Sequence, residues 1–131
     1  MKKLLFFAAF VLMTASVSAQ AVANADVAVA VFDTQNFDFG KIKSNVPATH
    51  EFKFTNKGKV PMVITNVQAS CGCTTPSWSK DPIPPGGQGF VTATYNAASV
   101  GAFNKSVTVT ANVENNIIIL SIHGEVVQPV Q

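Results

Sequence analysis

From Ser106 to Val113 the chain alternates without a break, with Val107, Val109, Ala111 and Val113 on one parity and Ser106, Thr108, Thr110 and Asn112 on the other. A period of two puts alternate side chains on one face of an extended strand, whereas a helix would scatter the valines around its axis. The octet therefore specifies a half-buried strand whose valine face needs a second apolar layer to cover it. Glu114-Asn115-Asn116 supplies turn residues, and Ile118, Leu120 and Ile122 return as the last strand, which Gly124 is read to close. A two-stranded hairpin is marginal in water, so the remaining chain must provide more strands.

It does so in short runs. Val27 to Phe32 is β-branched and apolar and stops at Asp33-Thr34-Gln35-Asn36, a turn. Phe37 to Ile42 alternates until Gly40 interrupts it, the mark of a bulge or tight bend. His50 to Thr55 alternates strictly, with His50, Phe52 and Phe54 on one face. Met62 to Val67 is β-branched but of mixed parity, so its inward face is not assigned. Thr74 to Lys80 is extended and carries Trp78. In Asp81 to Gly87, Pro85 presets φ and Gly86 can take a positive φ, giving the strongest turn in the chain. Phe90 to Tyr95 places Val91, Ala93 and Tyr95 together. Seven to eight short strands at this spacing predict an immunoglobulin-like antiparallel β-sandwich over residues 27–127, with 128–131 as a tail.

The first residues have a different character. Lys2 and Lys3 precede an apolar run from Leu4 to Met13, too short to span a bilayer, and Val17-Ser18-Ala19 offers small residues for a peptidase. This pattern predicts a signal peptide over 1–19, cleaved before Gln20, and a flexible lead-in over 20–26. The mature protein is expected to be exported, periplasmic or extracellular, with no membrane anchor, since no cysteine near the cleavage site could accept a lipid. Lys2 and Lys3 leave with the leader, so seven basic residues face seven acidic ones and the mature chain is formally neutral. Every basic residue is a lysine, and without arginine or a basic excess a nucleic-acid partner is not expected. The roughly 112 mature residues can bury about two-thirds of their unfolded surface, enough for a core without staples.

The two cysteines sit together in Ala69-Ser70-Cys71-Gly72-Cys73-Thr74-Thr75-Pro76. Three readings stay open. Cys71 and Cys73 can form a local disulfide in an oxidising compartment, a bridge that meets the distance window only with strain and closes too small a loop to stabilise the fold much. As thiolates they can converge on Cu(I), which accepts few, soft ligands. Or they can exchange with a partner's thiols. A zinc site is disfavoured, because the histidines His50 and His123 fall on opposed faces by strand parity. Thr74 and Trp78 are candidate contact residues beside this loop, with Trp78 read first as core.

Phe37-Asp38-Phe39-Gly40, Phe52-Lys53-Phe54-Thr55-Asn56-Lys57-Gly58, Ala69-Ser70-Cys71-Gly72-Cys73-Thr74, Ile83-Pro84-Pro85-Gly86 and Gly101-Ala102-Phe103-Asn104-Lys105 together resemble domain of unknown function family 1573. That resemblance implies an immunoglobulin-like fold and export, and it brings no activity with it. No nucleophile elbow occurs, and the seven acidic residues are scattered over turns and polar faces. The expectation is therefore a non-enzymatic module that contacts an envelope or extracellular protein, the alternative being Cu(I) binding or thiol-disulfide exchange at Cys71 and Cys73.

Overall fold

The computed structural model describes residues 27–129. The expected leader (1–19), lead-in (20–26) and last two tail residues lie outside the described residues. Eight strands follow in order: β1 (Ala30–Phe32), β2 (Asn36–Lys43), β3 (Ala48–Asn56), β4 (Ile64–Ala69), β5 (Thr74–Trp78), β6 (Gln88–Tyr95), β7 (Gly101–Ala111) and β8 (Ile117–Val127). They form two four-stranded sheets, one ordered β1-β3-β6-β5 and the other β2-β8-β7-β4. The architecture is the expected β-sandwich, with one amendment: β2 runs parallel to β8, while every other pair is antiparallel. β1 and β2 are two parts of one path that changes sheets at Asp33–Gln35, so β2 meets β8 in the same direction.

The alternations select the core. Phe52, Phe54, Val91, Ala93 and Tyr95 from the first sheet face Val107, Val109, Ala111, Leu120, Ile122 and Val126 from the second, and all are buried. Each large aliphatic or aromatic side chain in this set contributes roughly 1.5–3 kcal/mol by leaving water. The core therefore outweighs anything a bridge over one residue can add.

The irregularities have identifiable causes. The register shift between Asp38 and Lys41 is the bulge expected at Gly40. A second shift, between Ile64 and Asn66, explains the mixed parity before Val67: Met62, Ile64 and Val67 are all buried although the last interval is three residues. At the tight turn Gly87 N–H donates to the Pro84 carbonyl at 2.8 Å while Gly86 takes φ 78°, as a proline-glycine turn of type II requires. Gly124 departs from expectation. β8 runs through it to Val127, and Gly124 is there because a Cβ would lie 2.8 Å from the Gly40 carbonyl oxygen and 3.0 Å from the Phe103 ring.

Candidate functional site

The chain leaves the second sheet at Ala69, the end of β4, and enters the first at Thr74, the start of β5. Both are edge strands lying together at one rim of the sandwich. Four residues, Ser70 to Cys73, make the crossing. Both ends are held by main-chain bonds: Ser70 N–H donates to the Ser106 carbonyl at 2.9 Å, and Asn96 N–H donates to the Cys73 carbonyl at 2.9 Å. Ser106 N–H donates in return to Ser70 Oγ at 3.1 Å. The crossing is thus anchored without any help from the side chains of the cysteines.

Cys71 and Cys73 are disulfide-bonded, with their Cα atoms 5.3 Å apart. That separation falls inside the ordinary window of about 4.4–6.8 Å, so the bridge over one intervening residue meets the distance requirement. Gly72 lies exposed at the tip, and Cys73 packs against the core. Thr74 Oγ1 stands 3.9 Å from the Sγ of each cysteine, and the two sulfurs are its hydrogen-bond partners among the described residues. Thr74 is 4% exposed, so water does not compete freely for this hydroxyl.

Trp78 does not join them. It pairs with Val91 at the far end of β5, whereas Thr74 pairs with Tyr95. Five residues of strand place the two roughly 13 Å apart, so they do not form one contact loop. Trp78 packs on the core, and Lys80 Nζ sits over its ring at 3.0 Å from the centroid, a cation–π contact that covers the other face.

The histidines also lie apart from the loop. His50 stacks on Phe37 with centroids 3.7 Å apart and meets Phe52 edge-on. Its Nε2 is buried and makes no hydrogen bond, and burial holds its pKa below the ordinary value, partly offset by the Glu51 carboxylate. His123 is on β8, with Nε2 3.6 Å from Asp38 Oδ2. Among the described residues no three His, Cys, Asp or Glu side chains converge as metal ligands. Cu(I) at Cys71 and Cys73 therefore requires the bridge to be reduced first. No helix among the described residues is long and apolar enough to cross a membrane.

A second feature was not singled out from the residues alone. The N–H of Ser121 on β8 donates to the Gln35 carbonyl at 2.8 Å, and β2 pairs with β8 from Ser121 onward. By alternation, the backbone groups of Ile117 and Ile119 point to the same side, beyond the start of β2, where no strand among the described residues is paired to them. Their side chains are 51% and 61% exposed. The signal in the sequence was the uninterrupted run Ile117-Ile118-Ile119-Leu120, which is apolar on both faces of a strand that needs to bury one.

The model of the protein-of-unknown-function family DUF1573 matches residues 30–126. The chain belongs to the DUF1573 family. No curated protein matches it. Among solved structures, this DUF1573 chain is similar to a protein of unknown function from Porphyromonas gingivalis W83, at 15% identity and TM-score 0.69, covering 82% of this chain and 51% of that one. It is also similar to the ASH/PapD-like domain 7 of human CEP192, at 7% identity and TM-score 0.67, covering 89% and 97%. A third similarity is to the YadV chaperone, at 12% identity and TM-score 0.54, covering 73% and 51%. The DUF1573 chain thus spans about half the length of the Porphyromonas protein. At these identities the likeness shows the fold alone, a β-sandwich like that of a PapD-like domain.

Proposed function

We propose that this protein is an exported, non-enzymatic binding module that takes an extended segment of a partner protein as an added strand beside Ile117–Leu120. The observation that carries the reading is the contrast between this stretch and the other edges. β1 is three residues long. β2 and β4 carry register shifts. β5 presents Pro76 at an outward position, where it has no N–H to offer: the bonds at Asn96–Cys73 and Ser79–Phe90 put odd-numbered residues of β5 toward β6 and even-numbered ones away. Short strands, bulges and proline are the means by which edges are protected from pairing. Ile117–Leu120 lacks them and adds two exposed isoleucines, a combination suited to strand addition, in which main-chain bonds give affinity and alternate side chains give specificity.

The test uses a panel of seven-residue peptides of alternating valine and threonine, with proline-interrupted versions as controls, read by amide chemical shifts and hydrogen exchange. Binding that protects the Ile117 and Ile119 amides, and that Ile119→Pro removes without unfolding the domain, supports the reading. Absence of binding by every peptide, or protection confined to another edge, overturns it.

A further inference from the structure

The geometry points to Cys71–Cys73 as a thiol-disulfide exchange site for a protein dithiol, with Thr74 as the positioning residue that holds the departing thiolate. This loop joins edge strands β4 and β5 and is separate from the Ile117–Leu120 stretch of β8, so exchange at the cysteines does not depend on strand addition.

Three observations carry it. First, the bridge is dispensable for the fold, because Ser70, Ser106, Cys73 and Asn96 already fasten the crossing by main-chain and hydroxyl bonds. Second, the buried Thr74 hydroxyl faces both sulfurs at 3.9 Å and has no better partner among the described residues. A disulfide sulfur is a weak acceptor, whereas a thiolate accepts a charge-assisted hydrogen bond about twice as strong as a neutral one. The hydroxyl therefore binds the product of S–S cleavage better than the closed bridge, which is the condition for promoting that step. Third, Cys71 and Cys73 are both half-buried, but Cys73 packs against the core and Cys71 does not, so attack is directed to the Cys71 sulfur and Cys73 is the leaving group beside Thr74.

The exchange proceeds in two balanced steps. One thiolate of the substrate attacks Cys71 Sγ; a bond forms between these sulfurs, the Cys71–Cys73 bond breaks, and its electron pair stays on Cys73 Sγ, which accepts the Thr74 O–H. The second thiol of the substrate loses its proton to solvent and attacks the mixed disulfide. Cys71 leaves as a thiolate, the substrate becomes a disulfide, and the loop, having taken up two electrons and then two protons from solvent, is a dithiol. Each chain does this once; the substrate class is a polypeptide bearing two cysteines close enough to pair.

The experiment follows single-turnover reduction of the oxidised protein by glutathione and by a synthetic two-cysteine peptide, quenched by alkylation and read by intact mass. Wild type should be reduced within minutes at millimolar thiol. Thr74→Val should slow the reaction and shift its equilibrium by about tenfold, and Thr74→Ser should restore both. The pH dependence of alkylation of the reduced protein should show the Cys73 thiolate forming at higher pH in Thr74→Val, a change that a packing defect alone does not produce. Cys73→Ser, given oxidised glutathione because it has no bridge of its own to reduce, should form the mixed disulfide at Cys71 faster than Cys71→Ser forms one at Cys73, and the reverse order overturns Cys71 as the attacked sulfur. A bridge that survives millimolar thiol for hours in the folded protein overturns the exchange site. Equal rates and equal thiolate titration in wild type and Thr74→Val overturn the role of Thr74, and if Thr74→Val does not fold, the same comparison with Thr74→Ala, which also lacks the hydroxyl, decides the question.

Discussion

Asn56 is fully buried, and replacing it should cost more than replacing most core side chains. Its Oδ1 accepts from Gly58 N–H at 3.0 Å and Val29 N–H at 3.3 Å, while its Nδ2 donates to the Val60 carbonyl at 2.8 Å and the Ile83 carbonyl at 3.0 Å. One side chain thus joins the residue before β1, the loop after β3 and the segment before the proline-glycine turn. In Asn56→Ala the Ile83 carbonyl keeps the Met62 N–H at 2.8 Å, but the Gly58 N–H, the Val60 carbonyl and the Val29 N–H lose the partner that Asn56 gave them. The three lost bonds are part-buried, so each counts for about 0.5–1.5 kcal/mol rather than the full penalty of a buried unsatisfied group, and the loss should be about 2–4 kcal/mol. For a domain whose whole stability is about 5–15 kcal/mol, this is a large fraction. Urea unfolding followed by tryptophan fluorescence from Trp78 measures it. Asn56→Asp keeps the shape but turns a carboxylate oxygen toward two carbonyls, so it should be at least as damaging at neutral pH. It should recover part of the loss in acid, when protonation restores one donor. A loss below about 1 kcal/mol in Asn56→Ala, or an Asp variant indifferent to pH, would refute this account.

The remaining predictions concern other positions. Gly124→Ala should destabilise by about 1–3 kcal/mol, seen as a lower urea midpoint, because the added methyl meets the Gly40 carbonyl and the Phe103 ring. Because burial favours neutral His50 in the folded chain, the unfolded chain takes up the proton first. Its contribution is therefore fully present above the ordinary histidine pKa of 6.5 and is lost as pH falls through that value toward the lowered folded one. Thermal unfolding between pH 5 and 8 should show this slope in wild type and not in His50→Phe. Replacing both Cys71 and Cys73 with serine should lower stability by only about 1–2 kcal/mol, the entropy of so short a loop, and leave the far-UV spectrum unchanged. A collapse of the fold would show that the bridge is structural.

The strands were legible where side chains alternate cleanly. Val107 to Val113 and Phe90 to Tyr95 show their inward faces in the residues themselves, because a period of two leaves no other way to segregate valine from threonine. The face of β4 was not legible, since the bulge between Ile64 and Asn66 shifts the parity inside the run, and a bulge without a glycine leaves no mark in composition. Gly124 was misread for a related reason. A glycine that ends a strand and one that admits a neighbouring carbonyl look alike until the neighbour is known.

The candidate site divides in the same way. The Cys-Gly-Cys spacing drew attention to the loop, and turn chemistry located it between two strands. That Thr74 rather than Trp78 attends the sulfurs depends on where β5 begins, a matter of register against Tyr95. By itself the chain determined its all-β class, most of its strands and its Pro85-Gly86 turn, since these follow from interactions between residues near in sequence. The tertiary structure alone decided that β2 lies parallel to β8 and stops short of Ile119, and that a buried hydroxyl faces the bridge. These depend on which strands become neighbours, and that choice is made by burying the whole apolar surface at once.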